Sequence, residues 1–308
     1  MPRLDWHLHS GDPGQVAGLE HQPISDDIDL AAVRRYRLGR VRAEMAAREI
    51  AALVLSDPVS IRYATGTRNL QIFTARNGPS RYLLLTEDQA VLYEFTGCMH
   101  LAHGSETLTD VRPAITASFV AAGERIAERE AAWAADMAAT IREAVGTDVV
   151  VGVERLNAGA TLALAAEGFR LVDAQAAVER ARAIKSAEEL KCVMASLRAT
   201  EVAVGRLREA IRPGVTENAL WSVLQQALIE QDGDYCETRL LSSGRRTNPW
   251  FQETGLKVIA APGDKSQTDA AALASRPRGD ILHSAGTRPI AARWCCRSGC
   301  KTLDPDQG

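Results

Sequence analysis

The 308-residue sequence has no run of about 18 consecutive apolar residues, so it offers no membrane span. It has no arginine- or lysine-rich run either. With a formal net charge of -3 and a pI near 6.1, it does not point to a nucleic-acid partner. The first residues, MPRLDWHLHSGDPG, lack an apolar core of signal-peptide length, and a cytoplasmic location is the expectation. There is no nucleophile elbow, P-loop or dinucleotide fingerprint; Gly97, Gly104 and Gly123 do not group into one. No glutamate follows Glu253, and His283 is the one histidine after His103.

What is present suits a globular chain. The composition is 46% apolar and 24% charged, enough for a sizeable core. At about 150 residues per domain the length suits two domains. Six cysteines occur. Cys98, Cys192 and Cys236 stand singly and read as reduced, mostly buried thiols. Cys295, Cys296 and Cys300 crowd together, but adjacent cysteines with His283 upstream fit no standard zinc spacing. His7 and His9 read as solvated, and His100 and His103 as structural or exposed.

Periodicity divides the chain. Residues 1–33, polar and rich in Gly, Pro, Asp and His, read as a flexible arm. Helical spacing follows over 32–50, then a short apolar run, Ala51 to Leu55, ending at Asp57-Pro58, and a turn at Gly66. Arg81 to Thr86 and Ala90 to Phe95 read as a hairpin across Glu87-Asp88-Gln89. A helix is expected from about Ala121 to Val145, closed by Gly146. Asp148 to Val153 reads as a strand, Asn157 to Glu167 as a helix ended by Gly168, and Phe169 to Val172 as a strand. This alternation predicts an α/β domain over 34–177.

A second unit is expected over 178–264. Ser186 and Glu189 fit a capping box. Leu190, Val193, Met194, Leu197, Val204, Leu207 and Ile211 then recur at helical spacing. Thr216 caps a further helix carrying Leu220, Trp221, Leu224 and Leu228, and Glu237 to Ser242 reads as a strand. Residues 265–308 hold no consistent period.

Three segments carry a likeness: Ile61-Arg62-Tyr63-Ala64-Thr65-Gly66 with Asn69-Leu70-Gln71; Ala183-Ile184-Lys185-Ser186-Ala187-Glu188-Glu189-Leu190; and the run from Glu237 to Glu253, ETRLLSSGRRTNPWFQE. Over residues 34–264 the chain resembles the pita-bread metal enzymes of the creatinase and aminopeptidase P (Xaa-Pro peptidase) kind. The third segment is similar to the branch that includes dimethylsulfoniopropionate lyases. The resemblance implies an α/β N-terminal creatinase-like domain followed by a truncated α+β pita-bread domain. It also implies a homodimer and a small zwitterionic or peptide-like substrate. One or two divalent metals (Mn, Fe, Zn or Co) would be held by two Asp, one His and two Glu.

By that resemblance Phe73, Arg76 and Asn77 are candidate pocket residues. Arg239, Arg245 and Asn248 lie beside the expected metal cleft, where an arginine can clamp a carboxylate. Trp250 stands where peptidases of the family carry a histidine, which favours the non-peptidase branch. Asp269 and Asp280, separated by ten residues, match the family's carboxylate spacing. Yet the residues before Asp269 are polar, and Pro277 and Gly279 suit no paired strand. The missing glutamates and histidine leave the donor set incomplete, so no metal is expected in this chain. Loss of patterning inside a recognisable domain points to a reading-frame change, which translating the underlying DNA in the other two frames tests.

Overall fold

A computed structural model of the chain describes residues 27–69, 80–231, 241–243 and 254–255. The chain divides into two compact units, Asp29–Glu188 and residues 1–28 with 189–308.

In the first unit, helix α1 (Leu30–Ala46) starts where Asp29 Oδ1 accepts the Ala32 N–H at 2.8 Å. Strand β1 (Ala52–Leu55) leads into α2 (Pro58–Thr65), where Pro58 occupies the first turn and Asp57 caps it. Gly66 ends α2 at φ 75°, and a Cβ there would run into the Arg34 side chain. The hairpin β2 (Tyr82–Leu85) and β3 (Ala90–Glu94) follows. Then come β4 (Asp110–Pro113), α3 (Phe119–Ala122), a 3-10 turn at Gly123–Arg125 and α4 (Ile126–Val145). The expected helix from Ala121 is broken at Gly123, whose φ is 55°. β5 (Val150–Val153), α5 (Ala158–Ala166), β6 (Arg170–Asp173) and α6 (Gln175–Ala183) complete the unit, and α6 runs across position 178.

The strands form one mixed sheet in the order β4-β3-β2-β1-β5-β6. β1 pairs antiparallel with β2 and parallel with β5, and β2 pairs antiparallel with β3. Alternate residues supply two cores. Leu53, Leu55, Leu83, Leu85 and Leu92 face Val41, Met45, Ile61 and Val178. Ala52, Val54, Tyr82, Leu84 and Tyr93 face Trp133, Met137 and Ile141 of α4 and Leu164 of α5. Helices on both faces explain why ALVL and YLLL are continuous apolar runs rather than alternating ones. Each fully buried leucine contributes roughly 1.5–3 kcal/mol. β4 carries charge and proline, which hid it from a reading based on apolar runs; it sits at the sheet edge, where proline is tolerated.

In the second unit, α7 (Ala187–Ala210, belonging to this unit from Glu189) and α8 (Glu217–Glu230) share an apolar cluster of Ala203, Leu207, Leu220, Leu224, Ala227 and Leu228. Thr216 Oγ1 accepts the Ala219 N–H at 3.1 Å, as the cap was read from sequence. The stripe expected on α7 holds in its second half, where Leu207 is buried and Val204 and Ile211 pack against the cluster, and is displaced in its first half. Leu190 and Met194 are exposed, while Cys192, Ala195, Ala199 and Ala203 are buried. Small side chains let this face pack closely, and a pattern of large residues does not report them. Leu241 and Ser242 are not in a strand, although the sequence suggested one from 237; residues 237–240 lie outside the described residues.

Candidate functional site

Two buried glutamates, one in each unit, organise the described residues that flank the candidate segments along the chain. The first follows from hairpin register. Tyr82 pairs with Tyr93, so Arg81 and Glu94 stand opposite each other across the same ladder. Both are buried, and Arg81 Nε donates to Glu94 Oε2 at 2.7 Å. Glu94 Oε1 accepts Asn69 Nδ2 at 2.7 Å and the Phe95 N–H at 2.9 Å. Arg81 also donates through Nη2 to Thr67 Oγ1 at 2.8 Å, and the Thr67 and Thr65 hydroxyls share a hydrogen bond of 2.7 Å. Burial lowers the Arg81 pKa, and the Glu94 carboxylate acts against that loss. Residues 69 and 81, either side of segment 70–79, are thus tied to one carboxylate.

The second glutamate is Glu217, in the first turn of α8 and fully buried. Its Oε1 accepts the Ser243 N–H and the Ser243 hydroxyl, each at 2.8 Å, and its Oε2 accepts the Gly255 N–H at 3.0 Å. Asn218 N–H donates to the Gly255 carbonyl at 3.0 Å, and Leu241 N–H to Thr254 Oγ1 at 2.8 Å. Residues 243 and 254, which flank segment 244–253, are thereby gathered at the start of one helix.

The candidate residues themselves fall between these anchors or beyond them. Phe73, Arg76 and Asn77 are in 70–79, Arg239 in 232–240, and Arg245, Asn248 and Trp250 in 244–253; all lie outside the described residues. Asp269 and Asp280 do as well. Neither Glu94 nor Glu217 was singled out from sequence. The first was legible in principle, as an opposite-charge pair equidistant from a hairpin turn. The second was not, because an acid just after an N-cap ordinarily reads as an exposed partner of the helix dipole.

Among the described residues no group of three or more His, Cys, Asp and Glu side chains is placed to hold a metal ion. Glu217 spends both of its oxygens on N–H and O–H donors, three in all. The carboxylates that the resemblance proposes as ligands, Asp269 and Asp280, lie outside the described residues. His100 and His103 are exposed. Cys192 corrects an expectation: it is buried, as read, but disulfide-bonded rather than reduced. Spacing along a sequence does not report whether two Cα atoms come within the roughly 4.4–6.8 Å a disulfide needs. Cys98 is a free thiol, as expected. No helix among the described residues is long and apolar enough to cross a membrane.

Comparison with known proteins follows the same division. The family model described as Creatinase/Prolidase N-terminal domain matches residues 37–184. The chain is 31% identical over 252 residues to dimethylsulfoniopropionate lyase DddP of Roseobacter denitrificans, covering 80% of this chain and 56% of that protein. It is 31% identical over 237 residues to the DddP of Roseovarius nubinhibens, covering 75% and 53%. The chain thus spans about half the length of the curated relatives it matches. Among solved structures, an Xaa-Pro dipeptidase from Bacillus anthracis superimposes with a TM-score of 0.55 at 19% identity, over 74% of this chain and 58% of that one. A prolidase from Pyrococcus horikoshii gives 0.53 at 17%, over 73% and 57%. Those shares exceed what the first unit alone supplies, so the likeness of fold reaches into the second. Residues 37–184 thus match a creatinase/prolidase N-terminal domain, and over three quarters or more of its length the chain is similar to two dimethylsulfoniopropionate lyases of the pita-bread family.

Proposed function

We propose that this chain is a relative of a dimethylsulfoniopropionate lyase, and that these 308 residues by themselves do not assemble its metal site. The observation that carries the reading is a mismatch. Similarity to two lyases covers 80% and 75% of the chain, yet past Glu253 there is no glutamate and only one histidine to complete a metal site. The parent reaction would be metal-assisted cleavage of a small zwitterionic or peptide-like substrate, with Mn, Fe, Zn or Co as the ion. Trp250, in place of the peptidase histidine, supports a lyase parent over a peptidase one. In this reading Phe73, Arg76, Asn77, Arg239, Arg245, Asn248 and Trp250 are remnants of a pocket, and Asp269 and Asp280 do not form a working pair.

The homodimer and the cytoplasmic location belong to the same proposal. The Cys192 disulfide pulls against a reducing compartment. A thiol count on protein purified under alkylating conditions separates the two, since a reduced Cys192 in cells would favour the cytoplasm.

The functional test is turnover. The purified chain is assayed for release of dimethyl sulfide from dimethylsulfoniopropionate, and for cleavage of an Xaa-Pro dipeptide, with each of the four metals added. No turnover above the metal-only blank is expected. Dimethyl sulfide release that is lost in Asp269→Ala would overturn the reading and favour an atypical site built from Asp264, Asp269, Asp280 and His283. Dipeptide cleavage would place the parent among the peptidases instead.

A further inference from the structure

Outside the anchors described above, one ionisable group sits in the first unit with no evident task. β1 and β5 run parallel, with Val54 beside Val153, and the chain leaves their carboxyl ends toward α2 and α5. The two exits are cross-linked. The Glu154 N–H donates to the Val54 carbonyl at 3.1 Å, and the Ser56 hydroxyl donates to the Glu154 carbonyl at 2.6 Å. The Ser60 hydroxyl, in the first turn of α2, donates to Glu154 Oε1 at 2.9 Å. Arg155 is ion-paired with Asp57, whose Oδ1 caps α2 by accepting the Val59 N–H at 2.7 Å.

Two features mark the junction as poised. Glu154 is 7% exposed, and its Oε2 makes no hydrogen bond among the described residues. Arg155, a residue with a side chain, holds a φ of 52° in the left-handed region. A carboxylate buried with one oxygen unpaired is costly, whereas a neutral carboxylic acid there costs far less. Burial is the main force on the group and pushes its pKa up to about 7. The Asp57 carboxylate pushes the same way, while the Ser60 hydroxyl, the Asp57 backbone N–H and the Arg155 guanidinium oppose. Asp57, from the β1–α2 turn, and Arg155, from its own turn, are the charged groups that act on it, and those two are bound to each other.

We propose that Glu154 is a protonation latch: in its neutral form it holds the β5–α5 turn against the first turn of α2, and its ionisation loosens that junction. The latch bears on more than itself. α2 leads through Gly66 to Thr67 and Asn69, which are bonded to Arg81 and Glu94, so its first turn and the root of segment 70–79 are joined by one short stretch of chain. The sign follows from proton counting. Between the ordinary carboxyl pKa of 4.5 and about 7, the closed junction binds more protons than the open one. Opening therefore becomes about tenfold more frequent per pH unit in that window and levels off above it.

The test is hydrogen exchange of the full chain from pH 5 to 8.5, corrected for the intrinsic pH dependence of amide exchange. Residues 54–61 and 152–159 should open together, roughly fortyfold more often at pH 7 than at pH 5, with about a further twofold rise to a plateau above. Glu154→Gln keeps an acceptor for Ser60 and should abolish the pH dependence at both turns. Infrared difference spectra should show a protonated carboxyl at pH 6 that is missing in Glu154→Gln. Ser60→Ala, which removes a donor to the carboxylate, should move the midpoint upward. The same pH dependence in Glu154→Gln as in the unaltered chain, or a Glu154 carboxyl titrating near 4.5, would overturn the proposal.

Discussion

Glu94 and Glu217 do the same mechanical task with different chemistry. Each gathers the two flanks of a ten-residue segment that carries candidate pocket residues. Glu94 does so with a buried cation, Arg81, at the end of a hairpin inside the six-stranded sheet. Glu217 does so, among the described residues, with two backbone N–H groups and one hydroxyl at the start of a helix. The difference bears on robustness. A buried ion pair fails badly when one member is lost, because the survivor remains charged and uncompensated. A carboxylate met by neutral donors loses less, since each deserted donor costs only its own desolvation.

The largest effect should therefore come from the first anchor. Glu94→Gln is expected to cost about 3–5 kcal/mol by urea denaturation. The paired substitution Arg81→Met with Glu94→Leu should recover most of that loss. A double variant as unstable as the sum of its single changes would erase the contrast between a pair and a set of donors.

pH offers the next largest effect, and one confined to the first unit. The folded-state pKa of Glu154 is raised to about 7 from an ordinary 4.5, so the folded state binds the extra proton in that interval. Its stabilising contribution is complete below about pH 4.5 and is lost as pH rises through about 7. That is a fall of about 3 kcal/mol across the window. Thermal denaturation at pH 5 and pH 8 checks it, and Glu154→Gln should flatten the difference.

Glu217→Gln should cost about 1–3 kcal/mol, since an amide N–H2 would then face either the Ser243 donors or the Gly255 N–H. Exchange at residues 241–243 and 254–255 should rise with little change in the β2–β3 hairpin. A loss as large as that of Glu94→Gln would show that neutral donors and a buried cation are equally fragile here. Smallest of all, Thr216→Ala should cost about 1 kcal/mol, by removing the cap at 3.1 Å from Ala219 N, and thermal melting would record it.

The same contrast explains what the sequence disclosed. The hairpin, the Gly66, Gly146 and Gly168 stops and the Thr216 cap were legible because each is set by residues close along the chain. The edge strand β4 was not, because its pairing with β3 fixes it and its own residues do not look like a strand. Likewise α7 buries its alanines and leaves Leu190 and Met194 exposed, a choice made by packing and invisible to periodicity. Of the candidate site, the sequence supplied the segments and their resemblance. It did not supply Glu217 or Glu154, each of whose roles depends on partners brought in from far along the chain.

Whether the chain holds a metal is the most direct question to put to this account. Elemental analysis of protein purified without chelators and desalted should find well under one transition-metal ion per chain. One tightly retained equivalent, surviving gel filtration, would contradict it.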